Sequence, residues 1–305
     1  MSLLLFVLLP GCATPRAPAP EPESAPERAR EPAPPRPLAV LISDDIAMYQ
    51  EVAHALGRRV ARVQVHSLKG DEREAEAAAA RLARTPVLGV VAIGSLATRT
   101  AAGLVGQRVV YCLDFTPETQ RPVRPGMRGV RAWPPALAQL RAWKELDPGL
   151  ARVALVSGEG RRPLVEEALA AAEQLGIELE HIEVKSDREL LYVVKRLRPE
   201  IQGIWFPPDS RVLSAAAMRE ALAHSLRQGK QTLVFSSQLL QYGALVSVEA
   251  DPDDVAERVL EQLHAASDTP GPLPLHEART SVNLRIAHQL GLAVPPTLQG
   301  GSHVF

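Results

Sequence analysis

The chain has 305 residues, 46% of them apolar and 23% charged, the make-up of a globular protein with one large or two medium-sized domains. Lys and Arg total 34 against 35 Asp and Glu, and a formal net charge of −1 excludes the basic excess of a surface that tracks nucleic-acid phosphates. Two cysteines exclude a disulfide framework and an all-cysteine metal site, and no apolar run reaches the roughly 20 residues that a membrane-spanning helix needs.

The N-terminus opens on an apolar run, residues 2–9, followed by Pro10, Gly11 and Cys12. It is too short to span a bilayer and has the length of a signal-peptide core, although no Lys or Arg precedes it. Leu9-Pro10-Gly11-Cys12 resembles a bacterial lipobox, which makes Cys12 the expected lipidation site and residues 1–12 a signal segment for an envelope lipoprotein. Residues 13–37 contain 9 prolines in 25 residues, interleaved with Ala, Glu and Arg. Such a segment buries no core and favours extended polyproline II. At about 3.1 Å per residue it reaches about 75 Å, enough to hold a folded body away from a membrane.

From Leu38 the pattern alternates between strand and helix. Leu38–Ile42, Val60–Val65, Val87–Ile93 and Arg108–Leu113 read as strands. Helical spacing over Ile46–Leu56, Asp71–Leu82 and Ser95 to about Ala102 fills the gaps between them. The order βαβαβαβ predicts a parallel doubly wound sheet. Pro122–Pro135 is irregular and reads as a crossing between two units. The alternation then resumes, with predicted strands at Val153–Ser157, Glu178–Val184, Gly203–Phe206, Thr232–Phe235 and Leu245–Val248. The predicted helices of this half are Ala136–Glu145, Leu164–Leu175, Asp187–Leu197, Val212–Leu226, Pro252–Ala265 and Ser281–Leu290. The fold class is therefore α/β, with two doubly wound units of roughly 100 residues in succession.

Ligands of open α/β sheets bind beyond the carboxyl ends of the strands. That rule nominates Ser43, Asp44, Gly94, Ser95 and Asp114 in the first unit, and Ser157, Asp209 and Ser236, with the neighbouring Gly158, in the second. Hydroxyls and backbone N–H groups at a helix start suit a carboxylate, and an Asp suits an ammonium. Each of these residues also suits a helix cap or tight turn. Enzyme signatures are lacking: there is no P-loop, no Gly-x-Ser-x-Gly and no His-Glu-x-x-His, and Gly158-Glu159-Gly160 lacks the third glycine of a dinucleotide loop. Cys112, inside an apolar strand, reads as a buried hydrophobe. Trp133, Trp143, Trp205, Phe206, Phe235 and Tyr242 read mainly as core, with Trp205, Phe206 and Phe235 near enough to strand ends for one or two to face a ligand.

From about Leu38 onward the chain resembles bacterial ABC-transporter substrate-binding lipoproteins, in the group that includes aromatic-amino-acid binders. The resemblance rests on Ile93-Gly94-Ser95-Leu96-Ala97, on the Leu140–Gly149 stretch ending Leu-Asp-Pro-Gly, on Phe206-Pro207-Pro208-Asp209 and on Gly243-Ala244-Leu245. Its most specific piece is Val282-Asn283-Leu284-Arg285-Ile286-Ala287-His288-Gln289-Leu290-Gly291-Leu292, followed by Pro295-Pro296. The chain departs from the family where Phe115 follows Asp114, where Arg128-Gly129-Val130 replaces Thr-Gly-Val, and where Ser95 replaces Thr. The resemblance implies a type I periplasmic binding protein fold: two parallel-sheet lobes with a cleft between them, joined by three crossings. Residues 38–133 and about 246–272 would form lobe one, and 134–245 and about 273–305 lobe two. It implies a non-catalytic, extracytoplasmic receptor of an ABC importer, without cofactor or metal, that takes an amino-acid-like or other carboxylate ligand. Its partners would be that small molecule, a permease and, through the lipid, a membrane. By their placement at strand ends, Ser95 and the Gly94 backbone would hold the carboxylate, and Asp114 or Asp209 the amine. The competing reading is an envelope interaction lipoprotein that uses the same fold to regulate a partner protein.

Overall fold

A computed structural model of the chain describes residues 35–116, 123–209, 212–265 and 271–300. The expected signal segment with Cys12 and the part before residue 35 of the stretch expected to be a linker lie outside the described residues.

The first lobe is built on strands β1 (Leu38–Ile42), β2 (Val63–Ser67), β3 (Gly89–Ile93), β4 (Val109–Cys112) and β5 (Met127–Gly129). They form one parallel sheet in the order β2-β1-β3-β4-β5. All residues of β1, β3 and β4 are buried, as expected of strands covered on both faces. Alternate residues serve opposite faces. Leu38, Val40, Ile42, Val91 and Val110 pack with helix α1 (Ala47–Arg59). Ala39, Leu41, Val90, Ala92 and Tyr111 pack against α2 (Glu72–Leu82) and α3 (Ser95–Ala102). Asp71 caps α2 by accepting from Arg73 N (2.7 Å) and Glu74 N (3.3 Å). β5 lies in the stretch expected to be irregular; three residues between turns carry too little periodicity to announce an edge strand.

The second lobe carries β6 (Arg152–Gly158), β7 (Glu178–Val184), β8 (Gly203–Phe206), β9 (Gln231–Val234), β10 (Val246–Ala250) and β11 (Ala278–Val282). Their order is β11-β10-β9-β8-β6-β7. The neighbouring pairs are parallel except for β11, which runs antiparallel to β10. Helices α4 (Ala136–Leu146) and α5 (Arg162–Gln174) bury one face, where Val153, Leu155, Trp205 and Val246 meet Leu140 and Trp143. Helices α6 (Asp187–Val194) and α7 (Ala215–Arg227) bury the other, against Val156, Ile204, Phe206 and Val234.

Two expectations are corrected. Residues 281–290 were expected to be one helix. Ser281 and Val282 instead end β11, and a helix, α9 (Leu284–Gln289), starts only after Asn283. The Asn283 side chain enforces the break: its oxygen accepts from Ile286 N (3.1 Å) and its amide donates to Leu240 O (2.8 Å). The second correction is the lobe boundary expected near residue 246. β10 hydrogen-bonds to β9 and β11 of the second sheet, so the chain returns to the first lobe after Ala250. Helix α8 (Pro252–His264) then packs on α1 through Val255, Ala256 and Val259. Leu273 bridges to Val130 beside β5, and Leu275 is buried in the first-lobe core. The crossings thus lie at residues 131–135, at Asp251 and after Leu275. Both lobes belong to one unit, Arg36–Phe305.

Trp143, in the stretch that carries the family resemblance, and Arg128, where the chain departs from the family, hold this frame. Trp143 is fully buried and donates from its indole nitrogen to Gln231 Oε1 (2.7 Å), and Gln231 donates in turn to Asp147. Arg128 donates to the carbonyls of Gln262 and Ala265 (both 2.7 Å), satisfying the carboxyl end of α8.

Candidate functional site

The carboxyl ends of β1, β4 and β9 and the first crossing enclose a cavity of about 280 Å³. The first lobe contributes Met48, Tyr49, Leu113 and Phe115. The crossing contributes Ala132, Trp133 and Pro134. The second lobe contributes Pro208, Phe235, Ser236, Gln238 and residues 248–250. The lining is mostly apolar, and Glu249 is the one charged side chain among the described residues that form it. An apolar body with few polar groups is the usual character of a small-molecule site.

The aromatic wall crosses between lobes. The rings of Phe115 and Trp133 stack with centroids 6.3 Å apart and planes 19° from parallel. Leu113 has a φ of 49°, a left-handed conformation that costs a branched side chain about 1–3 kcal/mol, at the bend between β4 and Phe115. Arg161, buried just before α5, places its guanidinium carbon 5.8 Å from the centre of the Trp133 ring, a cation–π contact. It donates to the carbonyls of Phe115 and Pro208 (both 2.8 Å) and to Asp209 Oδ2 (3.3 Å). The guanidinium therefore bridges the lobes and holds the buried Asp209 carboxylate. Removing one member of such a pair typically costs about 3–5 kcal/mol, because the other charge stays buried.

The residues nominated at the strand ends have definite places. Ser43 donates to Ile93 O (2.8 Å) and accepts from Ala97 N (2.9 Å), so it stitches β1 to β3 and α3. Asp44 is exposed and accepts from Asp45 N (2.8 Å). Gly94 has a φ of 86°, and a Cβ on it would lie 2.6 Å from Ser43 Oγ and 2.7 Å from the Tyr49 hydroxyl. Its N–H donates to Cys112 O (3.0 Å) and its carbonyl accepts from Thr98 N and Oγ1. Ser95 donates to Asp114 Oδ1 (2.7 Å) and accepts from Thr116 Oγ1 (3.0 Å). Asp114, 2% exposed, also accepts from Thr116 N (2.9 Å). Ser157 is buried within β6 and lies 3.0 Å from His181 Nε2, away from the cavity lining. Ser236 caps a 3-10 turn over Ser237–Tyr242 and, of the eight nominated binding residues, is the one that lines the cavity.

The expected carboxylate grip is thus engaged inside the protein. The Gly94 N–H and the Ser95 hydroxyl are both committed, and the phenol of Tyr49 covers the turn. Burial, with the nearby Cys112 and the carboxylates of Asp114 and Asp44, pushes the Tyr49 hydroxyl up to about 12, so it stays a neutral donor and acceptor. Burial likewise raises the Cys112 thiol, consistent with a buried hydrophobe. The Asp209 carboxylate, offered to an amine by the sequence, faces Arg161 instead.

Sequence reasoning passed over Tyr49, Phe115, Arg161 and Glu249. Glu249 carried a signal, since it is the lone charge in Val246-Ser247-Val248-Glu249-Ala250, a strand buried throughout. Of the three aromatics placed near strand ends, Phe235 lines the cavity while Trp205 and Phe206 are core.

No protein-family model matches the chain, and no curated protein matches it in sequence. Solved structures match its fold. A Streptococcus pneumonia ABC domain in complex with L-Trp is 19% identical, with a TM-score of 0.60, covering 88% of this chain and 99% of that one. A ligand-free, open substrate binding protein with adhesive properties from Clostridium difficile is 14% identical at a TM-score of 0.68, with the same coverage. A periplasmic ribose ABC transporter structure from Conexibacter woesei is 12% identical at a TM-score of 0.53, covering 85% of this chain and 95% of that one. The fold is that of the type I periplasmic binding proteins, two α/β lobes around a cleft.

Proposed function

We propose that the protein is a solute-binding receptor that holds one small molecule in the cavity between its lobes. The observation that carries this is the cavity itself, about 280 Å³, apolar, and walled by strand ends of both sheets and by the first crossing. Its lining offers apolar surfaces and hydrogen-bonding groups but no assembled nucleophile and base, which suits binding rather than turnover. Lobes joined by three crossings can open and close, and a ligand that contacts both favours the closed form by its differential affinity.

The lipobox-like Leu9–Cys12 and the proline-rich segment support a lipid-anchored body in the cell envelope, and an ABC permease is the natural recipient of the solute. Among the described residues no helix is long and apolar enough to cross a membrane. The competing role, a regulator of an envelope partner, draws support from the buried interlobe tie of Arg161 to the Phe115 carbonyl (2.8 Å), which would hold a closed shape without ligand.

Thermal-shift screening of the purified chain against fractionated bacterial metabolites tests the reading. A ligand present at about 100 times its Kd should stabilise the chain by about 2.7 kcal/mol. A screen in which no fraction raises Tm contradicts the receptor and favours the regulator.

A further inference from the structure

Glu249 is 8% exposed, and its Oε2 is shut off from solvent with no hydrogen-bond partner. Ser237, at the start of the turn after β9, lies close enough to favour the charged form of this carboxylate. The charges that act on Glu249 do not balance. Arg279 stands opposite it on β11, but its Nη1 reaches across to Glu51 Oε2 of α1 at 2.9 Å. Among the described residues the guanidinium thus pairs with Glu51 and makes no ion pair with Glu249. A buried carboxylate must find a cation or take up a proton. The cavity beside it offers apolar and aromatic surfaces and no other charge among the described lining residues. Glu249 is itself part of the cavity lining, so its carboxylate is the charged group that a bound molecule would meet.

We infer that the cleft selects an aryl-alkyl amine without a carboxylate, its ammonium bound by Glu249 and its ring held by Phe115, Trp133 and Phe235. This rests on the solute-binding reading above and narrows its ligand. The ammonium supplies the cation that the Glu51–Arg279–Glu249 group lacks, in a low-dielectric setting where the pairing is strong. The aromatic wall suits both the ring and the positive charge. A carboxylate on the same molecule would find its expected donors occupied, Gly94 N–H on Cys112 and Ser95 Oγ on Asp114, and the Arg161 guanidinium engaged by Phe115, Pro208 and Asp209.

Calorimetric titration of the full chain with three probes tests this: 2-phenylethylamine, L-phenylalanine and 3-phenylpropionate. The amine should bind at least tenfold more tightly than either carboxylate-bearing probe, and Glu249→Gln should weaken the amine at least tenfold while leaving the far-UV spectrum unchanged. A second variant, Glu51→Gln, restores charge balance without touching the cavity lining and should weaken the amine less than Glu249→Gln does. Tighter binding of L-phenylalanine or 3-phenylpropionate, or equal amine binding by Glu249→Gln, overturns the inference and leaves the receptor standing. If none of the three binds, the inference falls. Mass spectrometry of the purified chain then decides the receptor: a released molecule keeps it, and a chain that releases nothing and captures nothing from a cell extract overturns it as well.

Discussion

At the residue scale, the instructive side chains are those whose charge the fold must neutralise. Arg161 and Asp209 neutralise each other, with side chains 4% and 1% exposed, so neither offers a free charge to a ligand. Glu249 has no such match. Burial raises its carboxyl above the usual range, with the Glu51 carboxylate adding to the rise, against Ser237 and Arg279, which lower it. The folded chain then keeps this proton to a higher pH than the unfolded chain. Stability is lost as pH climbs from the unfolded value through the raised one. Glu249→Gln removes that loss. We expect the variant to melt above the parent at pH 7, by about 2–4 °C for each kcal/mol regained. The gap should close below the ordinary carboxylate range, as followed by calorimetry from pH 3.5 to 8. A parent that equals or exceeds the variant at pH 7 would show that Glu249 is already neutralised in the unliganded chain. The strand-end serines tell the opposite story. Ser43 and Ser95 look like ligand donors in the sequence, yet their hydroxyls tie strand ends to helix starts.

At the element scale, the contact between α4 and β8 shows how closely the second lobe is packed. A Cβ on Gly203 would lie 2.3 Å from Cζ2 of the buried Trp143, so only glycine lets the strand pass beneath the indole. Gly203→Ala should cost about 1–3 kcal/mol by urea denaturation, the range for overpacking a core. Gly57→Ala is the control: a Cβ there meets nothing within 4 Å in helix α1, so no loss should follow. Elements with strong periodicity were legible from the sequence. β1, β7 and β8 have the predicted limits, and most helices begin or end within three residues of theirs. β5 and β11 were not legible. β5 is three residues long, and β11 has the pattern Ala-Arg-Thr-Ser-Val, whose alternation is weak and whose end runs directly into the α9 cap. The site was legible only as a location. Strand ends are visible in a sequence, but whether a hydroxyl there faces ligand or neighbour depends on long-range pairs such as Ser95 with Asp114 and Arg161 with Phe115.

At the scale of the whole molecule, two sheets and three crossings bring apolar groups from distant parts of the chain around one cavity. Arg161 on Phe115 O and Arg279 on Glu51 are two polar ties between lobes, among the described residues, that opening would have to break or rearrange. The Arg279–Glu51 pair is half exposed, and such pairs contribute only about 0–1 kcal/mol, so it sets register more than it locks the cleft. The buried Arg161 is the stronger latch, because it is 5% exposed and its charge-assisted bonds are largely shielded from water. The central claim is that the interlobe cavity holds a small molecule. Native mass spectrometry of the purified chain, beside a Ser236→Trp variant whose added ring enters the cavity, tests that most directly. The account predicts one small molecule per parent chain and none on the variant; equal loading of both, or a parent that carries nothing and captures nothing from a cell extract, would contradict it.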